Sequence, residues 1–237
     1  MSRFYIEAAL TVGERLELTE TVFHHWVRVL RAQLNQQSTL FNGKGGEYVV
    51  ELDEINKKNA FVKVLSFHAA DKTPKFHAVL GQVMSKGDRM DYAIQKATEL
   101  GVAQIQLLTS ERCEMRLKYD RDQKKLDHWQ SVAIAACEQC GLNKVPEILA
   151  PISLTDWLNQ SLPSTKLVLA PNKQALKLSA NQIEQVALLI GPEGGLSENE
   201  IELANNAGFQ NWCLGERVLR TETAPVVALS ILNYIAE

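Results

Sequence analysis

The chain has 237 residues, 46% of them hydrophobic, with 25 Lys/Arg against 28 Asp/Glu and a formal net charge of −3. That length allows one large domain or two small ones, and the apolar fraction is ordinary for a globular protein with a buried core. No apolar run reaches the length of a membrane span, the N-terminus MSRFYIEAALTVGERLE lacks a signal peptide's apolar core, and the slight acidity excludes RNA binding through a global positive field.

Four cysteines without a secretion signal imply reduced thiols and a cytoplasmic location. Charge is unevenly spread. Residues 1–73 balance, residues 74–142 carry +1 and residues 143–237 carry −4. Any RNA contact is therefore expected as local patches in the first two-thirds.

In chain order, Arg3–Ile6, Ser38–Phe41, Glu47–Leu52 and Phe61–Leu65 have strand composition. Gly43-Lys44-Gly45-Gly46 reads as the hairpin turn between the middle two, and not as a phosphate loop, because no helix follows it. Thr19 or Thr21 caps a predicted helix running to about Gln33, with Val22, Trp26, Val29 and Leu30 inward. His24, Arg28 and Arg31 fall on another face, as a solvated basic surface or an RNA contact. His24 and His25 point in different directions and no Cys or carboxylate cluster joins them, so no metal is expected.

Residues 69–75, polar and containing Pro74, are the predicted linker. Beyond them strands and helices alternate, the mark of an α/β domain. Phe76–Met84, Val102–Leu108 and Leu167–Ala170 read as strands. Lys86–Leu100 reads as a helix with Met90, Ile94, Ala97 and Leu100 inward, and a second helix runs from about Asp120 to Gln139. Cys137 and Cys140 form one C-x-x-C at a helix end, which suits packed thiols better than zinc or redox chemistry.

The stretch from Leu188 to Pro225 organises the rest. The buried strand Val186–Ile190 ends in Gly191-Pro192-Glu193-Gly194-Gly195, and Ser197 with Glu200 forms a capping box that starts a helix stopped by Gly208. Asn211–Leu214 is a short strand. Gly215 opens a second loop carrying Arg217, Arg220, Glu222 and Thr223, before a helix from about Ala224. Two glycine loops at strand ends let backbone approach a ligand. Neither is a Walker A loop or a G-x-G-x-x-G.

GPEGGLSENEI followed by LGERVLRTETA closely resembles the C-terminal signature of the RsmE family, and the likeness continues upstream in HHWVRVLR, QKATELGV, SERC and AACEQCG. The resemblance implies an α/β chain: a small N-terminal PUA-like β-barrel over residues 1–72 that helps recognise RNA, and a SPOUT-type methyltransferase domain with a trefoil knot over residues 73–237. It implies a homodimer, S-adenosyl-L-methionine as cofactor, and methylation of ring nitrogen 3 of a uridine (uridine 1498) in 16S ribosomal RNA of the small subunit. Leu142 stands where the family often has arginine, with Lys144 nearby.

The cofactor residues so implied are Leu169, Ala170, Pro171, Ile190, Gly191, Pro192, Glu193, Gly194, Gly195, Leu214, Gly215, Arg217, Leu219, Arg220, Thr223 and Ala224. Arg3, His24, Arg28, Arg31, Lys86 and Lys96 are the RNA-facing candidates. Glu222 and Glu193 are both open as base, and Arg220 or Arg112 would stabilise charge on the uracil. Two rival functions are a SPOUT enzyme methylating the ribose 2′-hydroxyl and a non-catalytic RNA-binding assembly factor.

Overall fold

The computed structural model describes residues 2–69, 71–115, 119–170, 176 and 178–237, with the side chains of residues 119–122 outside the description. Contacts divide the chain into two compact units. The first comprises residues 1–73 and 137–145, the second residues 74–136 and 146–237. Residues 137–145, which the sequence reading gave to the second domain, thus pack with the first.

The N-terminal unit is a five-stranded sheet of order β1-β3-β4-β5-β2, built from β1 (Arg3–Tyr5), β2 (Arg15–Glu17), β3 (Gln37–Phe41), β4 (Glu47–Ile55) and β5 (Ala60–His68). β1 runs parallel to β3 and the other pairs are antiparallel. The predicted hairpin joins β3 to β4, and Gly43, Gly45 and Gly46 all take positive φ there, a conformation that costs glycine little. The short edge strand β2 was not predicted, because three residues carry too little alternation to read.

Between β2 and β3 the expected α-helix departs from α geometry. Thr19 caps α1 (Glu20–Phe23), and His24–Val29 then continue as a π-helix, with the Leu30 N–H reaching the His25 carbonyl at 3.0 Å. The wider turn buries Trp26 and Val27 but leaves Val29 and Leu30 in solvent, 56% and 49% exposed, where an α reading had them inside. Helix geometry ends before Arg31, whose φ of 55° is left-handed.

Residues 137–145 close a small core of Phe41, Cys137 and Leu142. Burial there pushes the Cys137 thiol up to about 12. Leu142, at the position of the family's arginine, is itself buried. Arg3 is held inward, paired with Glu47 and donating to Asn143 Oδ1 at 2.8 Å and to the Leu142 carbonyl at 3.3 Å.

The C-terminal unit is an all-parallel six-stranded sheet of order β11-β9-β10-β6-β7-β8. The strands are β6 (His77–Val83), β7 (Gln104–Thr109), β8 (Glu147–Ser153), β9 (Thr165–Leu169), β10 (Gln185–Ile190) and β11 (Gln210–Trp212). The helices are α2 (Arg89–Glu99), α3 (Tyr119–Cys140), α4 (Leu154–Leu158), α5 (Glu198–Asn206) and α6 (Thr223–Ala236). Parallel strands need crossovers, which α2, α3 and α5 supply. β10 sits between β9 and β6 and is buried from Val186 to Ile190, which accounts for its unbroken apolar run. Gly81 in β6 admits the Trp157 ring, since a Cβ there would lie 2.4 Å from it. α2 begins at Arg89, three residues later than predicted. No described helix is long and apolar enough to cross a membrane.

Glu138 provides a test of the N-terminal core. Its carboxylate accepts from the Tyr5 N–H at 2.8 Å. Burial raises its pKa above the ordinary glutamate value, against the lowering influence of that N–H, His25 and Arg3. A folded pKa above the unfolded one means that the contribution to stability is best at low pH and declines as pH rises through the glutamate range. Glu138→Gln keeps an acceptor and removes this decline, so its stability relative to native protein improves as pH rises toward neutral. Glu138→Ala leaves the Tyr5 N–H unpartnered and costs about 1–3 kcal/mol. Urea denaturation at several pH values checks both, and parallel pH profiles for native and Gln proteins would refute the assignment.

Candidate active site

The site grows from the end of β10. Past Gly191 the chain turns, and the Gly195 N–H returns to the Pro192 carbonyl at 2.9 Å. The capping box predicted for Ser197 and Glu200 is complete: Ser197 Oγ accepts from the Glu200 N–H at 3.2 Å, and Glu200 Oε2 accepts from the Ser197 N–H at 2.9 Å. Glu200 is buried, and its other oxygen accepts from the Glu111 N–H at 2.8 Å. Next to Glu111, Arg112 donates to the Gly194 carbonyl at 2.9 Å. The loop after β7 is therefore tied to the loop after β10 through Arg112 and to the first turn of α5 through Glu111.

The second loop follows β11. Arg217 and Arg220 are exposed and Leu219 is half-buried. The Thr223 and Ala224 N–H groups both turn back on the Arg220 carbonyl, at 2.9 and 3.0 Å, and α6 starts there. Thr221 is buried, accepting from Gln82 Nε2 at 3.1 Å and donating to the Gly191 carbonyl at 2.7 Å.

Together these loops enclose a cavity of about 360 Å³. Of the predicted ligand-contacting residues, Leu169, Ala170, Ile190, Gly191, Pro192, Glu193, Gly194, Gly195, Leu214, Gly215, Arg217, Leu219 and Ala224 line it, as does Arg112. Arg220, Glu222 and Thr223 are not in its lining, and Pro171 lies outside the described residues. Leu196, Ile201, Trp212, Cys213, Val218 and Thr221 line it without having been singled out. Nothing in the sequence marks Thr221.

The glycines serve different ends. A Cβ on Gly191 would meet Leu196 at 3.0 Å, so its smallness serves packing within the loop. One on Gly194 would meet the Arg112 side chain at an ordinary 3.4 Å. Gly195 and Gly215 have φ of 68° and 115°, and a Cβ on either would meet nothing within 4 Å. These two keep left-handed backbone at open points of the cavity wall.

The two candidate bases differ in their surroundings. Glu193 Oε1 accepts from Arg89 at 2.5 Å and from the Lys86 N–H at 3.3 Å. Burial opposes its ionisation, but its own N–H, Arg89 and the Lys86 N–H outweigh that and hold its pKa below the ordinary value. Glu222 has one carboxylate oxygen buried without a hydrogen-bond partner.

The RNA-facing candidates also divide. Arg3, with a side chain 15% exposed, is paired inside its unit with Glu47 and Asn143. His24, Arg28 and Arg31 are exposed. Arg28 leans over the Phe23 ring at 5.1 Å and bonds the Lys57 carbonyl. Lys86 pairs with Glu114 at 2.7 Å and Lys96 with Glu99 at 2.7 Å.

A family model described as an RNA methyltransferase domain matches residues 71–233, and one described as an RNA methyltransferase PUA domain matches residues 10–65. Ribosomal RNA small subunit methyltransferase E of Buchnera aphidicola subsp. Schizaphis graminum is 35% identical over 233 residues, which cover 98% of this chain and 95% of its own length. The protein of the same name from Neisseria gonorrhoeae, crystallised with S-adenosyl methionine, has a TM-score of 0.92 at 38% identity, covering 99% of this chain and 97% of that one. A Legionella pneumophila protein solved in complex with the cofactor SAM has a TM-score of 0.93, also at 38% identity, covering 98% of this chain and 96% of that one. With every described wall of the cavity inside the matched methyltransferase stretch, the chain belongs to the RNA methyltransferase family of ribosomal RNA small subunit methyltransferase E.

Proposed function

We propose that this chain transfers a methyl group from S-adenosylmethionine to ring nitrogen 3 of a uridine in 16S RNA of the small ribosomal subunit. The observation that carries the reading is the cavity at the carboxyl ends of β9, β10 and β11, inside a stretch that matches an RNA methyltransferase domain. Its volume of about 360 Å³ falls in the range of small-molecule sites. Its lining is mixed: Leu169, Ile190, Leu214 and Trp212 offer apolar surface, and the loops offer backbone polar groups. The left-handed Gly195 and Gly215 lie where a side chain would enter open space, as a backbone cradle requires. In this reading the lining residues hold the cofactor, with Arg220 and Thr223 at the rim.

Bound S-adenosylmethionine supplies a methyl group on a sulfonium leaving group. The chain's own task is to align the uracil nitrogen with it and to take the nitrogen's proton. Glu222 is the better base. Glu193 is committed to Arg89 and Lys86 and has a depressed pKa, whereas an oxygen of Glu222 is buried and unpaired. Exposed Arg220, or Arg112 through N–H groups not engaged with Gly194, would offset charge gathering on the uracil oxygens. The SPOUT knot and the PUA-like barrel belong to this reading by family likeness.

Glu222→Gln is expected to lower kcat by about 10²–10⁴ while retaining cofactor affinity, with Glu193→Gln much milder. Mass spectrometry and nucleoside chromatography of the treated RNA should yield N3-methyluridine. A ribose-methylated product, or full activity in Glu222→Gln, would sink this assignment.

His24, Arg28 and Arg31 are proposed to contact RNA phosphates, and Lys86 and Lys96 only through charge left over from their pairs. Gly195→Val should abolish S-adenosylmethionine binding by calorimetry and spare RNA binding. Arg28→Glu with Arg31→Glu should do the reverse and flatten the salt dependence. A shared loss in either protein would contradict this division of labour.

We also propose a homodimer through α6. Val226, Val227, Ile231 and Ile235 remain half-buried, and Tyr234 is 81% exposed, so apolar surface is left over after α6 has packed. A monomer by light scattering at micromolar concentration would rule it out.

A further inference from the structure

Thr221 lies between two charged neighbours, Arg220 and Glu222, that draw attention away from it. It is 6% exposed and forms the middle of a hydrogen-bonded chain. Gln82, 1% exposed in β6, directs its Nε2 at the Val83 carbonyl (3.0 Å) and at Thr221 Oγ1 (3.1 Å). The Thr221 hydroxyl gives its single proton to the Gly191 carbonyl at 2.7 Å. The direction of the chain is fixed at both ends. A carbonyl can only accept, so Gly191 takes the hydroxyl proton and Val83 takes an amide N–H. The Gln82 amide cannot flip without setting its oxygen against the Val83 carbonyl. Gln82 Oε1 is then left buried without a partner, an arrangement that costs stability.

Packing alone does not call for this arrangement. A valine has nearly the shape of threonine and would fill the same space, but it would leave the Gly191 carbonyl and a Gln82 N–H without this partner. What the hydroxyl adds is a fixed link between two loops. Gly191 opens the loop after β10, Thr221 ends the loop after β11, and both residues line the cavity. Among the described residues it is the one side-chain hydrogen bond joining these loops. The next residue is Glu222, and the preceding carbonyl, that of Arg220, anchors the first turn of α6.

We propose that Thr221 is a positioning residue: its hydroxyl sets the gap between the two cavity loops and so holds Glu222 and Arg220 in register with the reacting atoms. This rests on the methyltransferase reading above. A displacement of the order of 1 Å at such a point is enough to lower a rate strongly without unfolding the protein.

The test compares Thr221→Val, which removes only the hydroxyl, with Thr221→Ser, which keeps it. Each is assayed as full chain with S-adenosylmethionine and small ribosomal subunits, alongside calorimetric cofactor affinity and thermal unfolding. The expected result is a kcat for Thr221→Val lower by about tenfold to a hundredfold, with an RNA KM near the native value, and a kcat for Thr221→Ser within about threefold of native. A role in stability alone would instead lower the unfolding temperature of Thr221→Val and leave its kcat per folded molecule unchanged, and that result overturns the proposal. So does a serine variant as slow as the valine one. If Thr221→Val does not fold, Gln82→Met removes the amide that orients the hydroxyl and should slow turnover by about threefold or more, a native kcat there overturning the proposal. A native protein without any methyl transfer would bring down the functional reading and this inference with it, whereas native turnover matched by Thr221→Val brings down this inference alone.

Discussion

A buried parallel strand cannot stop inside a protein without finding partners for the backbone groups that leave the ladder. β10 meets this demand within a few residues. The Gly191 carbonyl is taken by Thr221, the Pro192 carbonyl by the Gly195 amide and the Ser197 amide by Glu200. Each partner comes with a consequence. Thr221 brings the loop after β11, Glu200 brings the loop after β7 through Glu111, and Arg112 then covers Gly194. The cavity is what remains between three loops that were drawn together to satisfy one strand end. Its walls are therefore hydrogen-bonded to one another at their roots, and its small residues stand where the backbone must turn or open.

The N-terminal unit solves a different problem. It buries charge. Arg3 and Glu138 are both drawn inward, and each is given a short list of partners on the segment 137–145 or on β1 and β4. Removing one member of such a set exposes the other to an unpaired state, which costs more than the pair contributes. Cys137, pushed up to about 12 by burial, behaves in this setting as a small apolar side chain and not as a nucleophile.

Much of the C-terminal unit was legible in its sequence because its signals are local. Val186–Ile190 is an apolar run ended by glycine, and Ser197 with Glu200 is a reciprocal cap that needs only four residues to specify. The cavity lining from Ile190 to Gly195 and from Leu214 to Gly215 followed from the same loops. Features that depend on distant partners were not legible. Thr221 has meaning only beside Gln82, 139 residues away, and the second oxygen of Glu200 only beside Glu111, 89 residues away. The π-helix was missed for a related reason: Val29 and Leu30 fit an α-helical inner face by spacing, and only the packing of Trp26 and Val27 decides against it. Arg3 looked like a surface cation because nothing near it in sequence announces Glu47 or Asn143.

The N-terminal unit is not complete at residue 73, since residues 137–145 belong to it. Phe41 is covered by Cys137 and Leu142, and the Tyr5 amide finds its acceptor in Glu138. A polypeptide leaves the ribosome from its N-terminus, and its early segments begin to fold while later ones are still being made. Here the first sheet must wait for a segment that emerges after β6, α2, β7 and most of α3. Until then its apolar hollow and the Tyr5 amide stay open to water. Translation order thus makes this small unit, although made before the second, dependent on synthesis well into it, and a chain cut between them would expose a surface that residues 137–145 cover here.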